Sequence, residues 1–399
     1  MNATAAGATA GLAARPAAQH RVMRIAFYAP LKPPDHPVPS GERRMAQLLI
    51  EALRRAGHQV ELASRLRSRE PAGDPARQAR LARVGAACAR RLLRRYGARP
   101  AGERPQLWFT YHLYYKAPDW IGPQVAQALA IPYVVAEASL APKRAGGPWD
   151  ASHRAVEAAL RQAALVIALN PADLACLPEP AKTRQLAPFI AAAPFRSAAA
   201  DRARHRARLA ARHGLDPAQP WLIAVAMMRE GDKLASYRLL AGALGRLTGR
   251  HWQLLIVGDG PARPAVERAF AGLTPRVRFT GLLAADALAP HLAASDILVW
   301  PAVREAFGLA LLEAQAAGLP VVAGASGGVP AVVRDGETGL LAPEGDAERF
   351  ASAVAALLDD PTRRRVMAAT AAERVASAHD IEGASRRLAG LLRALVGPA

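Results

Sequence analysis

Two carboxylates, Glu305 and Glu313, stand eight residues apart around Phe307-Gly308-Leu309, where a loop turns into a helix. Such a spacing covers at most about 12 Å along a helix axis. That reach lets one carboxylate hold the hydroxyls of a sugar and the other the diol of a ribose, with phosphates between them. Carboxylates accept hydrogen bonds from diols well. A helix opening near Gly308 offers free amides and a positive dipole end to a diphosphate, and a glycine lets the ligand come close to the backbone. The plainer alternative makes Glu305 a helix cap and Glu313 a solvated helix residue.

Something must deliver that loop. Short apolar runs rich in β-formers alternate with longer helical ones along the chain, the pattern of parallel α/β sheets. In the first half, strands are predicted over 24–28, 59–63, 107–111, 133–136 and 165–168. The last three are followed by His112, Glu137 and Asn170. A helix over 43–56 ends at Gly57 in the C-cap region. The alternation restarts at 221–227 and runs through 254–257, 277–280, 297–300 and 320–323, with a helix over 308–317. The fold class is therefore α/β with two Rossmann-like halves, whose strand ends face a cleft. The predicted division is a disordered tail at 1–20, one domain at 21–194, a second at 195–380, and a helix at 381–399 that packs back on the first. The hinge falls within 188–200. Met23, just before the first strand, is an alternative start to Met1.

Around the two carboxylates come Gly318-Leu319-Pro320-Val321, Gly327-Gly328-Val329-Pro330 and Asp335-Gly336-Glu337-Thr338-Gly339-Leu340, with Val257-Gly258-Asp259-Gly260-Pro261 and Phe279-Thr280-Gly281 upstream. In this order they resemble the donor domain of retaining glycosyltransferase family 4, the group 1 glycosyl transferases of GT-B fold. The resemblance is dense over 221–350. The first half matches in outline only, through Ser40-Gly41-Glu42-Arg43 and His112.

The resemblance implies transfer of a hexose from a UDP- or GDP-sugar to a glycan or lipid-linked acceptor, with retention of configuration. In that scheme the departing diphosphate oxygen helps deprotonate the acceptor, and no metal or other cofactor is needed. Arg229 and Lys233, in Met228-Arg229-Glu230-Gly231-Asp232-Lys233, fill the place of the family's diphosphate-binding cations, at a shorter separation than the commonest pattern. Cations there stabilise charge that grows as the glycosidic bond breaks. Arg229, Lys233, Glu305 and His112 are then the catalytic candidates. Gly258, Gly260, Phe307, Gly308, Leu309, Glu313, Ser40 and Gly41 are the donor-binding ones, and Glu137 is a candidate on the acceptor side. Each has a plainer alternative: a surface ion pair with Glu230 or Asp232, a structural histidine, a simple turn at Ser40-Gly41.

Other classes fare worse. Gly258-Asp259-Gly260 is not a dinucleotide fingerprint, because Arg263 stands where the third glycine belongs. No Gly-Lys-Ser/Thr phosphate loop and no Asp-x-Asp pair is present. Cys88 and Cys176 stand apart and suit small buried hydrophobes in a reducing compartment, so the chain is expected in the cytoplasm. Mean hydropathy is +0.04 and no apolar run is uninterrupted enough to span a bilayer.

Net charge is +19, with twelve arginines against three acidic residues between Arg65 and Arg104. There Leu81, Val84, Cys88 and Leu92 recur at helical spacing, with arginines mostly off that stripe: a basic amphipathic helix. It suits either ordinary packing with a solvated face or peripheral contact with an anionic membrane, at about 1 kcal/mol per cation. Nucleic acid is not an expected partner, for no aromatic interleaving accompanies the charge. The rivals to a transferase are a nucleotide-sugar epimerase or phosphorylase of the same fold, and a non-catalytic membrane- or polyanion-binding protein.

Overall fold

The computed structural model describes residues 22–396. The tail predicted at 1–20 lies outside the described residues. In chain order the strands are β1 (Arg24–Tyr28), β2 (Gln59–Ser64), β3 (Leu107–Leu113), β4 (Tyr133–Ala138), β5 (Leu165–Ala168), β6 (Thr183–Gln185), β7 (Trp221–Val225), β8 (Gln253–Val257), β9 (Val277–Gly281), β10 (Ile297–Trp300), β11 (Val321–Gly324) and β12 (Gly339–Ala342). The helices of the first half are α1 (Gly41–Arg55), α2 (Pro75–Gly97), α3 (Gly122–Ala128) and α4 (Asp150–Gln162). Those of the second are α5 (Ala193–Ala200), α6 (Arg202–His213), α7 (Asp232–Gly245), α8 (Arg263–Phe270), α9 (Ala285–Ala294), α10 (Leu309–Ala316), α11 (Val329–Val332), α12 (Ala347–Asp359), α13 (Pro361–Ala378) and α14 (Ile381–Val396).

Two six-stranded parallel sheets result, in the orders β2-β1-β3-β4-β5-β6 and β12-β11-β10-β7-β8-β9. Helices cover both faces, so the inner strands are apolar runs rather than alternating ones: β4, β5, β10 and β11 are buried throughout. Sequence order reverses between β1 and β3 in one sheet and between β7 and β10 in the other. Ligands of open α/β sheets bind outside the strand ends at such points. The predicted site residues fall there: 40–41 follows β1, His112 closes β3, Arg229 and Lys233 follow β7, and Glu305 follows β10.

Two strands escaped prediction. β6 is three residues, Thr-Arg-Gln, on a sheet edge where polar side chains are tolerated, and β12 begins at the glycine of a run read as a loop. The chain crosses between halves twice, side by side. Ile190 donates to His379 O and accepts from Ile381 N, both at 2.9 Å. Since α5 already packs against α9, the first crossing is narrower than the predicted 188–200. α14 returns to the first half, where Ser385 Oγ donates to Ala52 O at 3.0 Å and Glu382 pairs with Arg55.

The basic helix is α2, but its buried line is not the predicted one. Gln78, Gly85, Ala89, Leu92 and Tyr96 face inward, whereas Val84 is 40% exposed and Leu81 and Cys88 flank the seam. Gly85 sets that rotation, because a Cβ there would collide with Trp120. Arg80, Arg83, Arg90, Arg91 and Arg94 remain exposed. Cys176 is exposed and Cys88 half-buried, against the expectation of two buried thiols. Among the described residues no helix is long and apolar enough to cross a membrane.

Candidate active site

The wall from the second half is built by backbone braces. After β7, Ala226 N donates to Val257 O (3.1 Å) and Met228 N to Asp259 O (2.9 Å). Gly258 and Gly260 allow this approach, at φ +137° and +153°; a Cβ on either would strike the carbonyl of Ala226 or Met228. Gly258 also lines the cavity, while Gly260 does not. Gly260, a predicted donor ligand, packs against the backbone of Met228, the residue before Arg229.

Lys233 lies in the first turn of α7 and reaches across to Glu305, forming an ion pair through Oε2. The same oxygen accepts from Trp300 Nε1 at 3.2 Å, and the ammonium sits 5.4 Å from the centroid of that indole. The loop that presents Glu305 is strained, with Ala302 and Arg304 at φ +55° and +47°. Ser236 Oγ accepts from Val303 N (3.0 Å), Glu344 accepts from Arg304 N (3.1 Å), and the Arg304 guanidinium pairs with Asp232. From behind, Gly328 N donates to Ala306 O at 2.6 Å, and neither Gly327 nor Gly328 has room for a Cβ against the carbonyls of Glu305 and Ala306. The Gly-Gly-Val-Pro run is thus the backing plate of the Glu305 loop.

α10 follows its N-cap Gly308, φ +70°, with no side-chain cap, so the amides of Leu309 and Ala310 have no intrahelical partner. Gly308 and Leu309 line the cavity, while the Phe307 side chain is buried in the core between them and Ala306. Glu313 stands on the next turn of the same wall. Burial pushes its carboxyl up to about 7, opposed by the Arg44 guanidinium from α1.

The cavity, about 440 Å³, is closed on its other side by 39–44 of the first half. Ser40 caps α1 by accepting from Arg43 N at 3.2 Å, and Gly41 is its first residue. Arg229 Nη2 donates to Pro39 O at 3.1 Å, tying the two halves together at the cleft. Lys32, in the loop after β1, is pushed down to about 8 by burial and by Arg229, Arg67 and Arg43.

His112 does not line the cavity. It stands behind Glu42, which does. At φ +62° its ring turns so that Nδ1 lies 2.7 Å from Glu42 Oε2, and Tyr111 Oη donates to the same oxygen at 3.1 Å. Burial works against the imidazolium, but Glu42, with Glu137 and Asp173 beyond, outweighs it and raises His112 to about 9. Burial likewise lifts Glu137 to about 7 against the pull of His112; its Oε2 accepts from Leu169 N at 3.2 Å, and the residue takes φ +60°. The structure therefore brings together Ser40, Gly41, Arg229, Lys233, Gly258, Glu305, Gly308, Leu309 and Glu313, with His112 and Glu137 one layer behind.

Sequence reasoning missed Glu42 and Arg44, which line the cavity, and Lys32, which stands near Arg229 behind it. Glu42 and Arg44 were within reach, since a helix starting at Gly41 puts both in the turn that carries Ser40-Gly41. Lys32 sits in a proline-rich loop with no periodicity to betray it. Lys32, Arg44, Arg229, Lys233 and imidazolium His112 give the cleft a field that draws anions.

The model of the family described as "Glycosyl transferases group 1" matches residues 219–360, the segment that builds the donor-side wall. Over that segment the chain is similar to group 1 glycosyl transferases. Alpha-D-kanosaminyltransferase of Streptomyces kanamyceticus is 34% identical over 207 residues, 51% of this chain and 53% of that protein. The match thus spans about half the length of that relative. Among solved structures, sucrose-phosphate synthase of Thermosynechococcus elongatus superposes with a TM-score of 0.71 at 24% identity, over 94% of this chain and 99% of that one. Anabaena Alr3699/HepE, solved with UDP, gives 0.71 at 18% identity, over 94% and 100%. Both halves together adopt the GT-B fold, and the family model's match lies in the second.

Proposed function

We propose that this chain is a retaining glycosyltransferase that moves a hexose from a UDP- or GDP-sugar to a glycan or lipid-linked acceptor. One observation carries the reading: the Lys233–Glu305 pair stands beside the uncapped start of α10, with Arg229 at the same cleft. Cations and free amides face one point, where a diphosphate fits, and Glu305 and Glu313 flank it. The α10 amides with Arg229 and Lys233 take the diphosphate and the charge that develops on it, the role a metal plays elsewhere. Glu305 grips the sugar hydroxyls and Glu313 the ribose diol. His112 and the Ser40-Gly41 turn reach the sugar as the halves close, and Glu137 borders the acceptor side. The leaving diphosphate oxygen takes the acceptor proton, so no protein nucleophile is required.

Relatives support both nucleotides. HepE was solved with UDP-glucose, and a mannosyltransferase of Corynebacterium glutamicum, 36% identical over 148 residues, is named as GDP-mannose-dependent. The exposed arginine face of α2 suits peripheral contact with an anionic leaflet from the cytoplasmic side, which flotation with anionic vesicles at low and high salt tests. For the activity, thermal shift is measured across UDP-, GDP-, ADP- and CDP-sugars, followed by incubation of the stabilising donor with and without acceptors. Stabilisation by one donor and transfer to an added saccharide are expected. Conversion of the donor sugar itself without acceptor makes the protein an epimerase; stabilisation by no nucleotide sugar removes the reading.

A further inference from the structure

Beside the cleft, the ends of β2, β3 and β4 bring a second cluster together. From His112 a run of rings leads outward: His112 to Tyr114 at 5.0 Å, Tyr114 to Tyr115 at 5.6 Å, and Tyr115 to Trp149 at 5.5 Å between centroids. Two cations lie on the last pair. Arg144 is 4.9 Å from the Tyr115 centroid and 5.0 Å from that of Trp149; Lys116 Nζ is 5.7 and 5.5 Å from the same two. The rings are fixed in turn, since Trp149 Nε1 donates to Glu70 O at 3.1 Å.

Neighbouring carboxylates do not neutralise this pair. Glu70 spends its oxygens on the amides of Ala72 (2.9 Å), Gly73 (2.5 Å) and Asp74 (3.1 Å), and Asp150 pairs with Arg154 at 2.7 Å. Among the described residues neither Lys116 nor Arg144 forms a salt bridge, and Arg144 Nε is buried with no hydrogen-bond partner. Stacking on aromatic faces holds a cation in place without discharging it. Two such cations at half-buried positions make a preorganised anion site at the strand ends that also carry His112 and Glu137.

We propose that Tyr115, Lys116, Arg144 and Trp149 form a subsite for an anionic group, phosphate or carboxylate, on a saccharide acceptor. The assignment as an acceptor subsite rests on the transferase reading; the anion site does not. Binding to the full-length protein is therefore measured without donor, by titration calorimetry with glucose 6-phosphate, glucuronate, glucose and inorganic phosphate. Wild type and Lys233→Ala are expected to bind glucose 6-phosphate or glucuronate alike, and the stronger of the two identifies the anion. Lys116→Gln with Arg144→Gln should weaken it at least about ten-fold, as loss of charge-assisted hydrogen bonds requires. Lys116→Gln alone, which leaves the Arg144 stack intact, serves if the double variant does not fold.

Equal affinity in wild type and variants overturns the site. Glucose binding as tightly as its 6-phosphate overturns the anion requirement, and inorganic phosphate matching the sugar phosphate overturns the saccharide. If an anionic sugar binds here but no nucleotide sugar binds anywhere, the site stands and the transferase reading fails. If the variants lose transfer to anionic and neutral acceptors equally, the role as acceptor subsite is overturned.

Discussion

The two walls of the cleft reach the same electrostatic end by different means. On the donor side, function is written in contiguous runs: the Gly-Asp-Gly brace, the strained loop at Glu305, the glycines behind it and the start of α10 all lie within 226–328. On the wall from the first half, the proposed acceptor side, residues far apart in sequence converge because β1 and β3 are neighbours in the sheet. His112 meets Glu42 seventy residues away. A wall made of local runs tolerates few changes within them. A wall assembled by topology is held by single pairs, whose removal shifts one group's chemistry and leaves the rest.

The largest effects should fall on the donor wall. Lys233→Ala or Glu305→Ala is expected to lower kcat about 10²- to 10³-fold, as removal of one preorganised stabilising group does, with the melting temperature nearly unchanged. Transfer at the wild-type rate by either folded variant would take that residue out of the mechanism. Next comes the brace. Gly328→Ala drives a methyl into Ala306 O and must push the Glu305 loop forward. We expect a fall in kcat of roughly 10- to 100-fold, for misplacement by about 1 Å costs that order. Gly383→Ala, which meets nothing within 4 Å and has no positive φ, serves as the control for a glycine-to-alanine change without a clash. If both lose activity equally, the backing role of Gly328 is wrong.

On the acceptor wall, Glu42→Gln should act through His112. With the carboxylate gone, burial becomes the dominant influence and His112 should fall from about 9 to below its ordinary 6.5, read by NMR titration of the ring. A raised folded-state pKa stabilises the protein fully below 6.5 and is lost as pH rises through about 9. The wild type should therefore lose stability across that window, and the variant should not. The alkaline limb of the rate profile should move down in pH with it. A His112 titration unchanged in the variant would show that the pair is not what holds the charge.

The same contrast explains what the sequence made legible. The alternation of apolar runs with helices gave both sheets, because strands buried on two faces read as unbroken hydrophobic stretches. Edge strand β6, Thr-Arg-Gln, lacks that signature, and β12, Gly-Leu-Leu-Ala, is short and follows directly on a turn-forming Asp-Gly run that masks it. Glu305 and Glu313 were readable because eight residues and one helix start fix their relation. The Gly-Asp-Gly run is readable as a strand-end loop, but spacing cannot separate a glycine that admits a ligand from one that admits the next loop, as Gly258 and Gly260 both do for 226–228. Glu42 was quoted without a role, because nothing in 41–44 tells that β3 will set His112 beside it. The Tyr115–Trp149 cluster is further still from prediction: its members come from two loops, and the open valence of Arg144 is a property of packing alone.

Glu313 tests where the two walls touch, and its expected effect is the smallest. It belongs to a donor-side run, yet the charge opposing its desolvation comes from Arg44 on α1. A carboxyl raised from 4.5 to about 7 contributes stability that is full below 4.5 and lost as pH rises through about 7. Glu313→Gln cannot ionise, so above pH 7 it should melt higher than the wild type while binding nucleoside diphosphate a few-fold more weakly, about 1 kcal/mol for the lost charged acceptor. Arg44→Ala should push the Glu313 pKa higher and weaken binding at pH 7, with less effect at pH 9, where Glu313 is ionised regardless. Were Arg44→Ala to leave nucleotide binding unchanged at both pH values, the donor wall would be electrostatically self-sufficient, and the walls would meet in shape alone.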